Sequence, residues 1–130
     1  MKKAIKTIIA VSIVSMMFTA CDNDKFPEPG VKDNVSFALD IQPILTAECA
    51  TCHNPSEVAV PDFREGYAYE SIEDLITEGD VIPGDAEGSE LVEMLEGNSA
   101  DGNTMPPAGP MAPTKIALIK KWIDEGAKNN

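Results

Sequence analysis

Apolar residues along this chain recur at helical spacing, and no stretch alternates with the period of two that a half-buried strand requires. Asp40 is placed to cap a first helix with Pro43 in its opening turn, and Ile41, Ile44 and Leu45 share one face. Ser71-Ile72-Glu73-Asp74 has the form of a capping box and predicts a short helix through Leu75 and Ile76 that stops at Gly79. After a turn at Pro83-Gly84, Ser89 is positioned to cap another short helix carrying Leu91, Val92, Met94 and Leu95 as far as Gly97. The stretch from Asn98 to Pro113 is broken by Pro and Gly and predicts an irregular loop. Thr114 is then placed to cap a last helix, with Ile116, Ile119 and Ile123 on one face beside Leu118 and Trp122, ending at Gly126. The fold class read from this pattern is all-α.

The N-terminal segment follows a different logic. Lys2, Lys3 and Lys6 precede an apolar run from Ile8 to Phe18, too short to span a bilayer and suited to the apolar part of a secretory signal. The run ends in Phe18-Thr19-Ala20-Cys21, which resembles the bacterial lipobox, in which the cysteine is diacylated and becomes the new N-terminus. Residues 1–20 are therefore expected to be a lipoprotein signal peptide and Cys21 the lipidation site. Residues 21–35, polar and interrupted by Pro27, Pro29 and Gly30, read as a flexible tether, leaving 36–130 as one domain. This address implies the cell envelope of a Gram-negative-type bacterium, as a membrane-anchored lipoprotein on the periplasmic or outer surface.

Charge narrows the partners. The formal net charge is -12, and loss of Lys2, Lys3 and Lys6 with the signal takes it to about −15. Such a surface repels nucleic acid and favours protein partners with basic patches. Cysteine count narrows the chemistry. Three cysteines are awkward for a disulfide framework, but Cys21 for lipid and two for another purpose uses all of them.

That other purpose is legible in Cys49-Ala50-Thr51-Cys52-His53. Two thiols three positions apart can each add to one vinyl group of haem, and the adjoining histidine falls beneath the iron. Cys49 and Cys52 are thus the cofactor-binding residues for one covalent haem c, and His53 is the first metal ligand, its other ring nitrogen expected to donate to a carbonyl. A zinc site lacks further Cys or His ligands, and a thioredoxin-like couple lacks a βαβ setting. A plain disulfide between Cys49 and Cys52 leaves His53 unexplained. For the second metal ligand, Met105 precedes Pro106-Pro107 on a stiffened loop and is preferred, with Met111 in reserve. Met94 reads as core, Trp122 as core rather than an electron path, and Arg64 as a surface arginine rather than a haem-propionate partner. His53 is the single histidine, so no Ser/His/Asp set exists.

Taken in order, Ile41-Gln42-Pro43-Ile44-Leu45, Cys49-Ala50-Thr51-Cys52-His53, Met105-Pro106-Pro107 and Trp122-Ile123-Asp124-Glu125-Gly126-Ala127 resemble the mono-haem c-type cytochromes, most closely the planctomycete-type cytochrome c domain. The resemblance spans roughly residues 36–128. It implies a small cytochrome c-like domain whose first and last helices cross beside the haem, with His53 and Met105 as axial ligands. It implies an electron carrier with no small-molecule substrate, and no enzyme. The alternatives are a haem-based redox or gas sensor, an accessory cytochrome subunit of a larger envelope enzyme, and a haem-free surface lipoprotein whose Cys49 and Cys52 form a disulfide.

Overall fold

A computed structural model describes residues 30–58, 60–109 and 111–130 of the chain. The expected signal peptide, Cys21 and nearly all of the tether lie outside the described residues. Among those described there are helices and no strands, as the spacing of apolar residues predicts. A wide π-helical turn, Phe37–Ile41, runs directly into α1, Gln42–Glu48. α2 is Ala68–Glu78, α3 is Glu90–Glu96 and α4 is Pro113–Asp124.

The first helical run starts earlier than Asp40. Ser36 is its N-cap, with extended backbone and a side-chain oxygen that accepts the Leu39 N–H. Asp40 instead sits inside the turn and reaches back to accept the Ser36 N–H at 2.8 Å. The two side chains thus make a reciprocal cap, of capping-box type, with the acid one position later because the turn is wide. The remaining first-turn donors are met from the far end of the chain. Phe37 N–H donates to Asn130 Oδ1 at 2.8 Å and Ala38 N–H donates to the Asn130 carbonyl at 3.0 Å. No local pattern announces that partner, so the helix start could not be read from neighbours alone.

Two other expected caps also shift. Ser71 lies within the first turn of α2, not ahead of it, and its buried hydroxyl accepts the Asp62 N–H from the preceding loop. The helix begins at Ala68 because a turn over Arg64–Tyr67, whose carbonyl at Arg64 accepts from both Tyr67 and Ala68, has already set the direction of the chain. Thr114 occupies the second position of α4; Pro113 opens it and Ala112 stands at the cap without a side-chain hydrogen bond. Proline suits the first helical position because its N–H would have no intrahelical partner there. Ser89 does hold the cap position of α3, but its hydroxyl serves the loop, accepting from Ile82 N–H and donating to the Asp85 carbonyl. The two glycine stops are where the sequence places them. Gly79 and Gly97 adopt φ of 95° and 75°, left-handed values that cost glycine nothing.

The core is a seam between the beginning and the end of the domain. α4 packs against the Phe37–Ile41 turn and against α3. Trp122 and Ile123 are buried beside Ile41, Phe37 and Ile72. The Phe37 ring meets Tyr69 edge-on at 4.9 Å and Trp122 at 5.6 Å, contacts that add to the area the aromatics bury. Trp122 is therefore core, as expected. Its indole N–H donates to the Lys128 carbonyl and the Tyr69 hydroxyl donates to the Ala127 carbonyl, so both aromatics tie down the segment after α4. Met94 is only half-buried, its carbonyl accepting the Met105 N–H.

Glu125 closes this seam. Its two carboxylate oxygens accept the N–H groups of Asn34 at 3.0 Å and Val35 at 2.8 Å, and Lys121 sits beside it. The packed part of the chain thus begins by Val35, which is itself buried. Burial alone would raise the Glu125 carboxyl, but the Val35 and Asn34 donors and the Lys121 ammonium hold it below its ordinary value of 4.5. A carboxyl depressed by folding gives stability that is complete above its unfolded pKa and is lost as pH falls toward the lower folded value. Thermal melts should therefore weaken on the acid side of about pH 4.5. Glu125→Gln should lower stability at neutral pH by about 1 kcal/mol and make the acid decline shallower, with Asp40 and Asp62 retaining the rest. Identical acid slopes in the two proteins would show that the carboxylate does not carry the clasp.

Candidate functional site: the turn after the first helix

α1 ends where the chemistry begins. The Leu45 carbonyl accepts the N–H groups of Cys49 and Ala50, both at 2.9 Å, so the helix tightens and closes at Cys49. The Cys49 carbonyl then accepts from Cys52 at 3.1 Å and His53 at 2.9 Å. Cys49, Cys52 and His53 are therefore held on one compact turn. Asn54 staples it, its side-chain amide donating to the carbonyls of Ala50 and Thr51 while its Oδ1 accepts the Ser56 N–H. Asn54 was not among the residues singled out from sequence, although Asn54-Pro55-Ser56 is a turn signal of the kind in which an Asn side chain bonds the backbone two residues on.

The two sulfurs differ in setting. Both thiols are free. Cys49 is half-buried against the core, whereas Cys52 is exposed. Burial, and then the neighbouring Glu48 and Cys52, push the Cys49 thiol up to about 11. A thiol so raised is a poor thiolate and does not suit disulfide exchange.

His53 presents the sharpest anomaly. Its ring lies 5.3 Å from that of Phe63, and the Phe63 N–H donates to the His53 carbonyl. Yet Nδ1 is buried and has no hydrogen-bond partner, so the expected donation to a carbonyl is not made. The carbonyls of the turn are already engaged: Cys49 by Cys52 and His53, Cys52 by Asn54 and Val58, His53 by Phe63. A buried polar atom left in this state costs about 1 to 3 kcal/mol. Phe63 is itself buried and its carbonyl accepts from Gln42 Nε2 on α1, so the ring behind the imidazole is fixed from two sides.

Met105 and Met111 are treated differently by the fold. Met105 is half-buried and packs at the edge of the core, as Cys49 does, and its N–H donates to the Met94 carbonyl at 3.0 Å. Met111 is 5% exposed and belongs to the core proper. Arg64 is bound to Asp62 by a fork, with Nε and Nη2 both donating to the carboxylate, and it lies 4.7 Å from the centre of the Tyr67 ring. It remains 45% exposed at the side chain, in keeping with a surface arginine.

Among the described residues no three His, Cys, Asp or Glu side chains gather as a metal-binding cluster. Nor is any described helix long and apolar enough to cross a membrane. A cavity of about 250 Å³ lies at the clasp, lined by Asn34, Val35, Trp122, Glu125, Lys128 and Asn130, and none of its walls comes from the 49–53 turn. The chain matches no protein-family model, no curated protein and no solved structure.

The residues of the turn fit a covalently held haem. Two unbonded sulfurs lie three positions apart, one of them exposed, next to an imidazole with an unpartnered buried nitrogen. The Val58 N–H donates to the Cys52 carbonyl, which sets the exposed Val58 near Cys52 and offers apolar surface for a macrocycle to cover. In the chain with free thiols, alkylation at neutral pH should reach exposed Cys52 well before Cys49. A thiol at about 11 rather than 9.0 holds about a hundredfold less thiolate. Peptide mass spectrometry over a time course checks the order, and equal rates would overturn the buried placement of Cys49.

Proposed function

We propose that this protein is a lipid-anchored, mono-haem c-type cytochrome that passes single electrons in the bacterial cell envelope. The observation that carries the reading is the 49–53 turn: two free thiols and an imidazole with an orphaned buried nitrogen, held together by the end of one helix. Bound haem supplies a one-electron ferric/ferrous couple, and everything else falls to the chain. Each thiol would add across a vinyl group, its sulfur bonding one carbon and its hydrogen going to the other, so attachment would need no external oxidant. The product is a thioether that cannot dissociate. Cys49 and Cys52 would hold the group by these two bonds, and His53 would offer a ring nitrogen as its first metal ligand.

Met105 would supply the second metal ligand. It sits on a loop closed by its own N–H to the Met94 carbonyl, at the edge of the core rather than inside it, which leaves the thioether free to ligate. Met111 already fills core space, and pulling it out would leave a cavity. With His53 and Met105 both committed to the metal, no position would be left for a substrate, so the reading is of a carrier rather than an enzyme. The acidic surface selects transient redox partners with basic patches and excludes nucleic acid. Three cysteines then have three uses, with Cys21 carrying lipid.

Haem should remain on the polypeptide through denaturing electrophoresis, and Cys49→Ser with Cys52→Ser should release it. Met105→Ala should lose the weak far-red absorption of methionine-ligated ferric haem, lower the potential and open the iron to carbon monoxide, while Met111→Ala should chiefly cost stability, about 2 to 5 kcal/mol. Haem that leaves the unmodified chain on denaturation would sink the reading. Ready binding of carbon monoxide by the unmodified protein would favour a sensor instead.

The anchor is tested separately. The unmodified protein should partition with membranes and carry acyl mass on Cys21, whereas Cys21→Ser should be recovered without it. An unmodified Cys21 at the mature N-terminus, found by mass spectrometry, would remove lipidation and leave the haem chemistry untouched.

A further inference from the structure

Among the described residues, two buried side-chain polar atoms lack any hydrogen-bond partner: His53 Nδ1 and Ser99 Oγ. The first belongs to the turn already discussed. The second belongs to nothing in the proposed chemistry so far, yet it lies on the loop that carries Met105. That loop leaves α3 through Gly97, whose N–H donates to the Met94 carbonyl, and it returns to the same carbonyl through the Met105 N–H at 3.0 Å. Ser99 is thus enclosed between the two arms of one closure. Its own carbonyl is used, accepting the Gly102 N–H at 2.9 Å. Its hydroxyl is not, although the residue is only 9% exposed.

A buried hydroxyl without an acceptor destabilises by about 1 to 3 kcal/mol, and an alanine would fill the same place at no such cost. The acceptor it calls for has to come from outside the chain. Haem brings two carboxylate side chains, and this protein has little cationic charge to offer them. Lys32 is paired with Asp40, Arg64 with Asp62, Lys115 with Glu48, Lys120 with Glu87 and Glu96, and Lys121 with Asp33 and Glu125. With those cations committed to the protein's own acids, and with Lys128 lining the cavity at the clasp, a cofactor carboxylate entering beside the Met105 loop would draw on neutral donors. We propose that the Ser99 hydroxyl is a further cofactor-binding group, donating a hydrogen bond to a haem propionate carboxylate.

This inference rests on the haem reading and adds a residue that the motif does not contain. It also gives the Met105 loop a second tie to the ring, so that one short segment holds both an iron ligand and a peripheral carboxylate. A hydrogen bond to the anionic form stabilises it, so removing the donor should raise the pKa of that propionate.

The test uses the full chain with haem attached, comparing unmodified protein, Ser99→Ala and Ser99→Thr. In Ser99→Ala the propionate bending band in the resonance Raman spectrum should shift. The inflection that propionate protonation gives to potential against pH should also move upward, to a proton concentration about tenfold lower. Ser99→Thr, which keeps the hydroxyl, should behave as the unmodified protein, and Ser99→Cys, a weak donor of similar bulk, stands in if the alanine variant does not accumulate. If Ser99→Ala carries covalent haem with the band and the inflection unmoved, the assignment of Ser99 is wrong and the haem reading stands. If Ser99→Thr shifts like Ser99→Ala, side-chain size is responsible and the assignment again fails. If the unmodified chain acquires no covalent haem at all, both readings fall together.

Discussion

Everything described in this molecule depends on the closure of its two ends upon each other. Phe37 and Ile41 at the start of the domain pack against Trp122 and Ile123 near its finish. Around that apolar seam the backbone is laced by Asn130, which receives the first-turn N–H groups, and by Glu125, which receives those of Asn34 and Val35. A short helix is marginal on its own, and α1 spans only 7 residues. What keeps it helical is the packing of Ile44 and Leu45 into the core and the capping of the turn before it from 90 or more residues away.

The consequence reaches the candidate site because α1 has no slack at its far end. The Leu45 carbonyl that closes the helix belongs to a residue buried in the core, and the next turn holds Cys49, Cys52 and His53. A change at the seam would therefore be felt at the cysteines through a rigid element, not through a loop. The loop side is built by the same device. The Met94 carbonyl collects both arms of the segment bearing Ser99 and Met105, so that segment is tethered to α3, which packs on α4. The turn that holds His53 and the segment that bears Met105 thus stand on elements that share one core.

Two unsatisfied atoms mark where that economy breaks. Folded proteins leave very few buried polar atoms without partners. Here the described exceptions fall on His53, in the turn that holds Cys49 and Cys52, and on Ser99, in the loop that carries Met105. The rest of the surface is ordinary for an acidic protein: partly exposed ion pairs, each worth little by itself.

The all-α class, the glycine stops at Gly79 and Gly97, the core role of Trp122 and the Cys49–His53 motif were all legible in the sequence, because each follows from local spacing or local backbone preference. The caps assigned to Asp40, Ser71 and Thr114 were not, because a hydroxyl or carboxylate beside a helix start has several backbone groups in reach and only the surroundings choose among them. Ser71 was drawn to Asp62, Ser89 to Ile82 and Asp85, and the first turn of the domain to Asn130. Likewise the sequence preferred Met105, on its proline-stiffened loop, to Met111, and the packed core treats the two differently by burying Met111 and leaving Met105 at its edge. Neighbouring residues are enough to say which elements form and to mark out the Cys49-Ala50-Thr51-Cys52-His53 motif, because both are matters of local spacing. Tertiary structure alone decided which polar groups find partners, since that depends on contacts between residues far apart in the chain, and so it alone exposed His53 Nδ1 and Ser99 Oγ as atoms still in want of one.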